Sequence, residues 1–324
     1  MTTPIFVVSL PRSGSTLLQR LLTTSSEVAT TSEPWILLPL LFQFRDNGLF
    51  ATYRHQWFEV AVAEAFGVSE SGLPDSIRSA IVNYANEVYG SVASGRRYFV
   101  DKTPRYSLIL PELLTLFDSA KFICLTRNPA DIIGSMISTW GARDRWNIYN
   151  CEVDLYCGLA NIAEAIRSSD STRVLHLRFE DLVADTPATI SRLERFLEFK
   201  LPSDATTRMD DVKLGATMGD QTGASMLRGR GVVKHQDPAS GAVTWNGLRN
   251  LWLKRYVEQI GARALGDFGY SREEVLARAL VTRRSVARLP SDAFRMTYGY
   301  LARTFQLPLL IRLLRGRERR FLVD

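Results

Sequence analysis

The chain has few of the residues that usually mark a metal site, a disulfide framework or a membrane span. It contains three cysteines and three histidines in 324 residues, without metal-ligand spacing. The odd cysteine count indicates free thiols in a reducing compartment, with Cys124 in an apolar core segment. No apolar run reaches the ~18 residues of a membrane-spanning helix. The N-terminus lacks a signal-peptide pattern, so we expect a cytoplasmic protein.

Acidic residues are outnumbered by basic ones, with 34 Asp and Glu against 40 Lys and Arg. This excess favours an anionic partner, which would be a phosphorylated ligand, nucleic acid or an anionic membrane. The basic residues cluster in 228–235 and in 312–320. Because the sequence contains no recognised nucleic-acid-binding module, we expect no nucleic acid among the partners.

Short apolar segments rich in β-branched residues alternate with segments of helical periodicity. The predicted strands are "PIFVVSL", "EVATTSEP", "RYFVDKTPRY", "KFICLTRNP" and "RVLHLRFEDL". This alternation predicts an α/β fold of the P-loop-like three-layer α/β/α type, with a central parallel sheet and an additional helical acceptor or lid region. The hydrophobic content of 46% is enough for one large core, and we expect a single domain over residues 1–324.

The first predicted strand leads into "SLPRSGSTLLQRLL", residues 9–22, which has the strand, loop and helix order of a phosphate-binding loop. The P-loop pattern has Gly where Ser9 stands and Lys where Ser15 stands. Backbone N–H groups and the start of the following helix would attract an anion. A polar turn with a serine cap is the alternative. The residues predicted to bind are Arg12, Ser13, Gly14, Ser15 and Thr16.

Charged residues follow the other predicted strands, where ligands of open α/β sheets bind. They are Glu33, Asp101, Lys102, Arg127 and Arg178. Ser135 lies two helical turns after Arg127, so this pair is suited to a second phosphate group. The pattern indicates a nucleotide with two separated phosphates, bound without a metal. The alternatives are a magnesium-dependent P-loop kinase, in which Asp101 holds the ion, and a non-catalytic nucleotide sensor.

These motifs together resemble the sulfotransferases that use 3′-phosphoadenosine 5′-phosphosulfate (PAPS). "LPRSGSTLLQRLL" resembles their 5′-phosphosulfate loop, and "LTRNPADIIGSM" resembles their 3′-phosphate segment. "SEPW", "DKTPRY" and "LRFEDLVADTPATISRLERFL" resemble further family segments, with Phe179 where tyrosine is usual. The loop with Arg12 is similar to that of the carbohydrate and protein-tyrosine branch. The resemblance extends from residue 4 to about residue 255.

The resemblance implies catalytic and binding roles for the matching residues. Glu33 would be the general base, Lys102 would neutralise charge at the transferred sulfuryl group, and Arg12 would act with them. The 3′-phosphate would be bound by Arg127 and Ser135. The nucleotide would be covered by the segment 225–245, with binding residues Arg228, Arg230 and Lys234. Thr244 stands in this segment where the tyrosyl branch has lysine. No metal is required, because a sulfuryl group carries less charge than a γ-phosphate.

Residues 35–90 match no family segment and are the expected acceptor-binding insertion. Aromatic residues dominate 35–66, which favours an apolar cleft for a lipid, glycolipid or other small molecule, whereas a core or lid role is the alternative. A glycan hydroxyl is a further candidate acceptor, and His55 is an alternative base. The tail 305–324 is apolar and then basic, which favours a helix packed on the domain with a solvated basic end, and contact with a membrane surface is the alternative. The oligomeric state is not indicated.

Overall fold

A central parallel sheet organises the protein, for which the computed structural model describes residues 2–45, 55–66, 73–140, 145–212, 214, 245–280 and 289–304. Its strand order is β2-β3-β1-β4-β5, and every neighbouring pair is parallel. The strands are β1 (Thr3–Ser9), β2 (Val28–Thr30), β3 (Tyr98–Asp101), β4 (Lys121–Thr126) and β5 (Val174–Arg178). The predicted parallel sheet is therefore confirmed.

Helices cover both faces of this sheet. They are α1 (Ser15–Leu22), α2 (Leu37–Phe42), α3 (Gln56–Phe66), α4 (Asp75–Ala93), α5 (Leu110–Leu116), α6 (Pro129–Trp140), α7 (Leu159–Ser168), α8 (Phe179–Ala184), α9 (Thr186–Leu197), α10 (Ala205–Arg208), α11 (Gly247–Phe268), α12 (Arg272–Leu280) and α13 (Leu289–Thr304). Two 3₁₀ segments, Pro104–Ile109 and Tyr149–Cys151, and one π-helical turn, Asp154–Gly158, complete the described helical structure. Within α11 the backbone bends at Gly261.

Alternate residues of β1 pack on opposite faces of the sheet. Ile5 and Val7 belong to a buried cluster that includes residues of α1 and α9. Phe6 and Val8 belong to a second cluster that includes residues of α4 to α7 and α11. Because both faces are covered, the strand is an unbroken apolar run rather than an alternating one. The predicted three-layer α/β/α arrangement is confirmed.

The start of α6 agrees with its prediction, whereas the end of β5 does not. Asn128 caps α6 by accepting the backbone N–H of Ala130 at 3.0 Å. The prediction that β5 continues through "RFEDL" is wrong, because the strand ends at Arg178 and α8 begins at Phe179. Acidic residues in the first turn of α8 favour this early helix start, since they interact with the positive end of the helix dipole.

Several sequence predictions fall outside the described residues. Arg228, Arg230, Lys234 and Thr244 of the predicted nucleotide-covering segment are among them, as is the tail 305–324. Trp245 at the end of that segment is described, and it is buried in the core. Among the helices of the described ranges, none combines the length and hydropathy needed to cross a membrane.

Candidate active site

Four adjacent strands bring the predicted site residues to one edge of the sheet. Glu33 follows β2, Lys102 follows β3, the loop 10–14 follows β1, and Arg127 follows β4. Because these strands are parallel, all four segments leave the same carboxyl edge, where ligands of such sheets bind. With ~4.8 Å between strands, this edge spans about 15 Å. Its length suits an extended ligand that carries anionic groups at separate positions.

The loop between β1 and α1 has a backbone suited to an anion. Arg12 has a φ of 72° and Gly14 a φ of 90°, both in the left-handed region. Such residues turn successive N–H groups into an anion-binding concavity, which here lies at the positive end of α1. Glycine is required at position 14, because an added Cβ would lie 2.4 Å from the Phe179 ring.

The loop also carries buried hydroxyl groups. Ser13 is completely buried, and its hydroxyl has no hydrogen-bond partner among the described residues. Ser9 stands at the position where a P-loop has glycine, and its buried hydroxyl also has no hydrogen-bond partner among the described residues. Ser15 is buried and Thr16 is half-buried. An unsatisfied buried hydroxyl costs ~1–3 kcal/mol, which a bound anion would recover by accepting its hydrogen.

The two predicted phosphate-binding segments touch each other. Arg127 Nη1 donates to the Arg12 carbonyl oxygen at 3.0 Å, and Arg12 Nε donates to Ser135 Oγ at 3.1 Å. The Arg127 guanidinium lies 4.7 Å from the centre of the Phe179 ring, within cation–π range. Burial lowers the pKa of Arg127, but arginine remains protonated at neutral pH. Two guanidinium groups therefore create a positive potential beside the loop.

Glu33 and Lys102 form a nearly buried ion pair at the adjacent strand ends. Lys102 Nζ lies 2.7 Å from Glu33 Oε1, and the two side chains are 2% and 10% exposed. The indole N–H of Trp35 donates to Glu33 Oε2 at 3.1 Å. Trp35 has a φ of 58°, a backbone strain of ~1–3 kcal/mol that is typical of functional sites. The site thus presents one oriented carboxylate and one ammonium group.

Asp101 does not have the surroundings of a magnesium ligand. It is completely buried, and it accepts hydrogen bonds from Tyr89 Oη at 2.6 Å and Thr103 Oγ1 at 2.9 Å. Burial raises its pKa to about 6. Since hydroxyl donors occupy both carboxylate oxygens, the alternative of a kinase with Asp101 as metal ligand is not favoured.

Gln19 is a site residue that sequence reasoning missed. This completely buried residue of α1 donates to Thr30 Oγ1 and to the Thr31 carbonyl oxygen, both at 2.7 Å. It also donates to the Ser32 carbonyl oxygen at 3.3 Å, so α1 holds the segment that leads to Glu33. A polar residue on the apolar face of an amphipathic helix was the available signal.

Two further candidates have other roles in the fold. The Arg178 guanidinium lies 4.5 Å from the centre of the Tyr270 ring and 3.8 Å from Glu274 Oε1, so it connects β5 to the C-terminal helices. His55, the alternative base, is buried, with Nε2 at 2.9 Å from the Gln43 carbonyl oxygen. Its ring stacks on Phe58. These contacts indicate a packing role for His55.

The fold and the site define an α/β protein with an anion-binding loop, a second cationic segment and an adjacent carboxylate–lysine pair. This combination is typical of an enzyme that transfers an anionic group from a nucleotide. A family model described as the sulfotransferase family matches residues 4–203. The chain therefore belongs to the family of PAPS-dependent sulfotransferases.

Similar proteins include one curated relative and several solved structures. The nodulation protein NoeE of Sinorhizobium fredii (strain NBRC 101917 / NGR234) is 33% identical over 176 residues, which are 51% of this chain and 39% of that relative. The sulfotransferase domain from the curacin biosynthetic pathway is 22% identical at a TM-score of 0.47, covering 88% of this chain and 99% of that one. The sulfotransferase domain from the Synechococcus PCC 7002 olefin synthase is 24% identical at a TM-score of 0.44, covering 69% of this chain and 83% of that one.

Proposed function

We propose that this enzyme transfers the sulfuryl group of PAPS to a hydroxyl group of an acceptor. The observation that carries the proposal is the contact of Arg12 with both Arg127 and Ser135, beside the Glu33–Lys102 pair. This contact joins the two cationic segments into one surface along the strand ends. A nucleotide with phosphate groups at its 3′ and 5′ positions matches that surface.

Each anionic group of the nucleotide has a proposed binding segment. Residues 12–16 hold the 5′-phosphosulfate through backbone N–H groups, hydroxyl groups and the Arg12 guanidinium. Arg127 and Ser135 hold the 3′-phosphate. Arg228, Arg230 and Lys234 are proposed to cover the nucleotide and remain a prediction from sequence.

Glu33 and Lys102 have complementary proposed roles in the transfer. Glu33 accepts the proton of the acceptor hydroxyl as the acceptor oxygen bonds to sulfur. The bond between sulfur and the bridging oxygen of the 5′-phosphate breaks, and Lys102 stabilises the charge that develops on this oxygen. The products are the sulfated acceptor and adenosine 3′,5′-bisphosphate. Positioning and electrostatics supply most of the catalysis, since the enzyme forms no covalent intermediate.

A thermal-shift experiment tests the nucleotide assignment. A ligand that binds the folded state alone raises the unfolding midpoint. Adenosine 3′,5′-bisphosphate is expected to raise the midpoint more than ATP, with and without Mg²⁺. A shift that occurs only with ATP and Mg²⁺ would contradict the proposal and restore the kinase alternative.

We propose an acceptor that is an apolar alcohol, such as a lipid, a glycolipid or another small molecule. The helix α3 supports this class, because Trp57, Val60 and Phe66 are 67%, 47% and 57% exposed. By contrast, Phe42 and Phe44 pack against the core and serve the fold. A screen of alcohols of increasing chain length tests the proposal. Turnover that does not increase with chain length would contradict it.

We also propose that the enzyme is cytoplasmic and makes peripheral contact with an anionic membrane. Phe294, Tyr298 and Leu301 are 72%, 37% and 39% exposed and share one face of α13. The basic tail 305–324 follows this helix. Flotation should show binding to anionic vesicles but not to neutral ones, with loss of binding when these three residues become serine. Equal flotation of this variant would contradict the proposal.

A further inference from the structure

A ring of hydrogen bonds, closed through the backbone of residues 101–103, connects the Glu33–Lys102 pair to the buried Asp101; we call it the circuit. The Trp35 indole binds Glu33, while the Trp35 backbone N–H donates to Thr103 Oγ1 at 3.3 Å. Thr103 Oγ1 in turn donates to Asp101 Oδ1 at 2.9 Å. Since Lys102 lies between Asp101 and Thr103 in the chain, its bond to Glu33 closes the circuit.

Asp101 is held from two other elements. Tyr89, on α4, donates to Asp101 Oδ2 at 2.6 Å. Tyr106, in the 3₁₀ segment Pro104–Ile109, interacts with Asp101 and accepts the Leu37 N–H at 3.2 Å. Leu37 begins α2, so the same cluster holds the segment 33–37 at the backbone N–H groups of Trp35 and Leu37. The carboxylate therefore joins β3, α4 and the chain that carries Glu33.

We infer that Asp101 is a positioning residue, which acts through Thr103 to set the geometry of Glu33 and Lys102. The inference rests on the proposed function of this pair. Thr103 supplies the acceptor for the backbone N–H of Trp35, whose positive φ is otherwise unfavourable. Without this acceptor the segment would relax toward negative φ and carry the Glu33 carboxylate away from Lys102. A displacement of ~1 Å at a reacting group costs about 100-fold in rate.

The test compares Thr103→Val with Thr103→Ser. Valine keeps the shape of threonine but can neither donate to Asp101 nor accept from Trp35, whereas serine keeps both bonds. Turnover is measured as adenosine 3′,5′-bisphosphate formed from PAPS in the presence of an acceptor. We expect Thr103→Val to lower kcat about 10-fold to 100-fold, Thr103→Ser to restore most of it, and both to keep the nucleotide Kd.

A matched control and a milder variant keep this test decisive. Thr189→Val replaces another buried threonine, on α9 and outside the circuit, and should leave kcat unchanged. Tyr89→Phe removes one bond to Asp101 without touching Thr103, and should lower kcat less than Thr103→Val does. If Thr103→Val does not fold, Tyr89→Phe alone tests the inference, through kcat at unchanged nucleotide Kd.

Two results would overturn the inference. One is an unchanged kcat in a folded Thr103→Val or Tyr89→Phe variant. The other is a parallel loss of unfolding midpoint, nucleotide affinity and kcat that Thr103→Ser does not restore, which indicates a role in folding only. Failure of the proposed function would differ from both, because the wild-type enzyme itself would then neither bind adenosine 3′,5′-bisphosphate nor consume PAPS.

Discussion

Glu33 and Arg127 have different surroundings, which support the different roles proposed for them. Glu33 lies beside an ammonium group and an indole N–H, and Arg127 lies between the Arg12 carbonyl oxygen and the Phe179 ring. The first arrangement orients an oxygen that can accept a proton, and the second orients a guanidinium that can bind a phosphate. Substitutions at the two positions should therefore affect different kinetic constants.

Replacing Glu33 with Gln should abolish most turnover while preserving nucleotide binding. The amide keeps the size of the side chain but cannot accept the acceptor proton, so kcat should fall ~10²–10⁴-fold. Steady-state assays and calorimetric titration with adenosine 3′,5′-bisphosphate measure the two effects. Unchanged turnover would remove Glu33 from the mechanism.

Replacing Arg127 with Lys should weaken recognition of the 3′-phosphate in particular. Lysine keeps the charge but lacks the planar fork that bonds the Arg12 carbonyl oxygen and stacks on Phe179. The affinity for adenosine 3′,5′-bisphosphate should fall about 10-fold or more, whereas that for adenosine 5′-phosphate should stay within about 2-fold. Equal losses for the two ligands would contradict the assignment of Arg127 to the 3′-phosphate.

At the scale of elements, the site depends on how α1 is connected to β2. The helix follows the proposed phosphate loop and holds residues 30–32 through Gln19, a buried residue in its second turn. One helix thereby sets the position of the loop relative to Glu33. This link joins two segments that leave strands β1 and β2, which are separated by β3 along the ligand edge.

Replacing Gln19 with Leu should shift Glu33 without disturbing nucleotide binding by the loop. Leucine fills the volume but removes the Gln19 bonds to the Thr31 and Ser32 carbonyl oxygens, and the loss of the donor to Ser32 costs ~1–3 kcal/mol of stability. We expect kcat to fall about 10-fold as Glu33 shifts, with nucleotide affinity nearly unchanged. Chemical denaturation and single-turnover kinetics measure both effects, with Gln259→Leu on α11 as the control. A normal kcat would show that the Gln19 bonds do not position Glu33.

At the scale of the whole molecule, buried titratable groups make stability depend on pH. Burial raises the pKa of Asp101 and of Asp154 to about 6 and lowers the pKa of His176 to about 4. A carboxyl group with a raised pKa binds protons better in the folded state, so its contribution to the free energy of unfolding falls as pH rises from about 4 to 6. His176 has the opposite effect, because the unfolded state binds its proton better. Its contribution to the free energy of unfolding therefore rises as pH rises from about 4 to 6.5.

Replacing Asp154 with Asn should therefore make the stability of the variant, relative to the wild type, increase as pH rises. The free energy of unfolding of the variant minus that of the wild type should increase by up to ~3 kcal/mol between pH 4 and pH 7. Urea unfolding at several pH values measures this difference. His176→Gln is the counterpart, with a difference that should decrease as pH rises to about 6.5. A pH-independent difference for Asp154→Asn would contradict the expectation.

The sequence by itself determined the layer order, the position of the loop between β1 and α1, and the family. Apolar runs with β-branched residues predict buried parallel strands, and the residues that follow them predict a site at the strand ends. These signals are local, because strand burial, helix caps and the loop between β1 and α1 each depend on a few consecutive residues.

Only the tertiary structure decided which distant residues meet. The sheet order places β3 between β2 and β1, and this order brings Glu33 to Lys102 across 69 positions of sequence. It also encloses Asp101, a carboxylate whose sequence position suited a metal ligand, among the hydroxyl groups of Tyr89 and Thr103. The physical reason is that burial and hydrogen-bond partners arise from packing between elements, which no short stretch of sequence encodes.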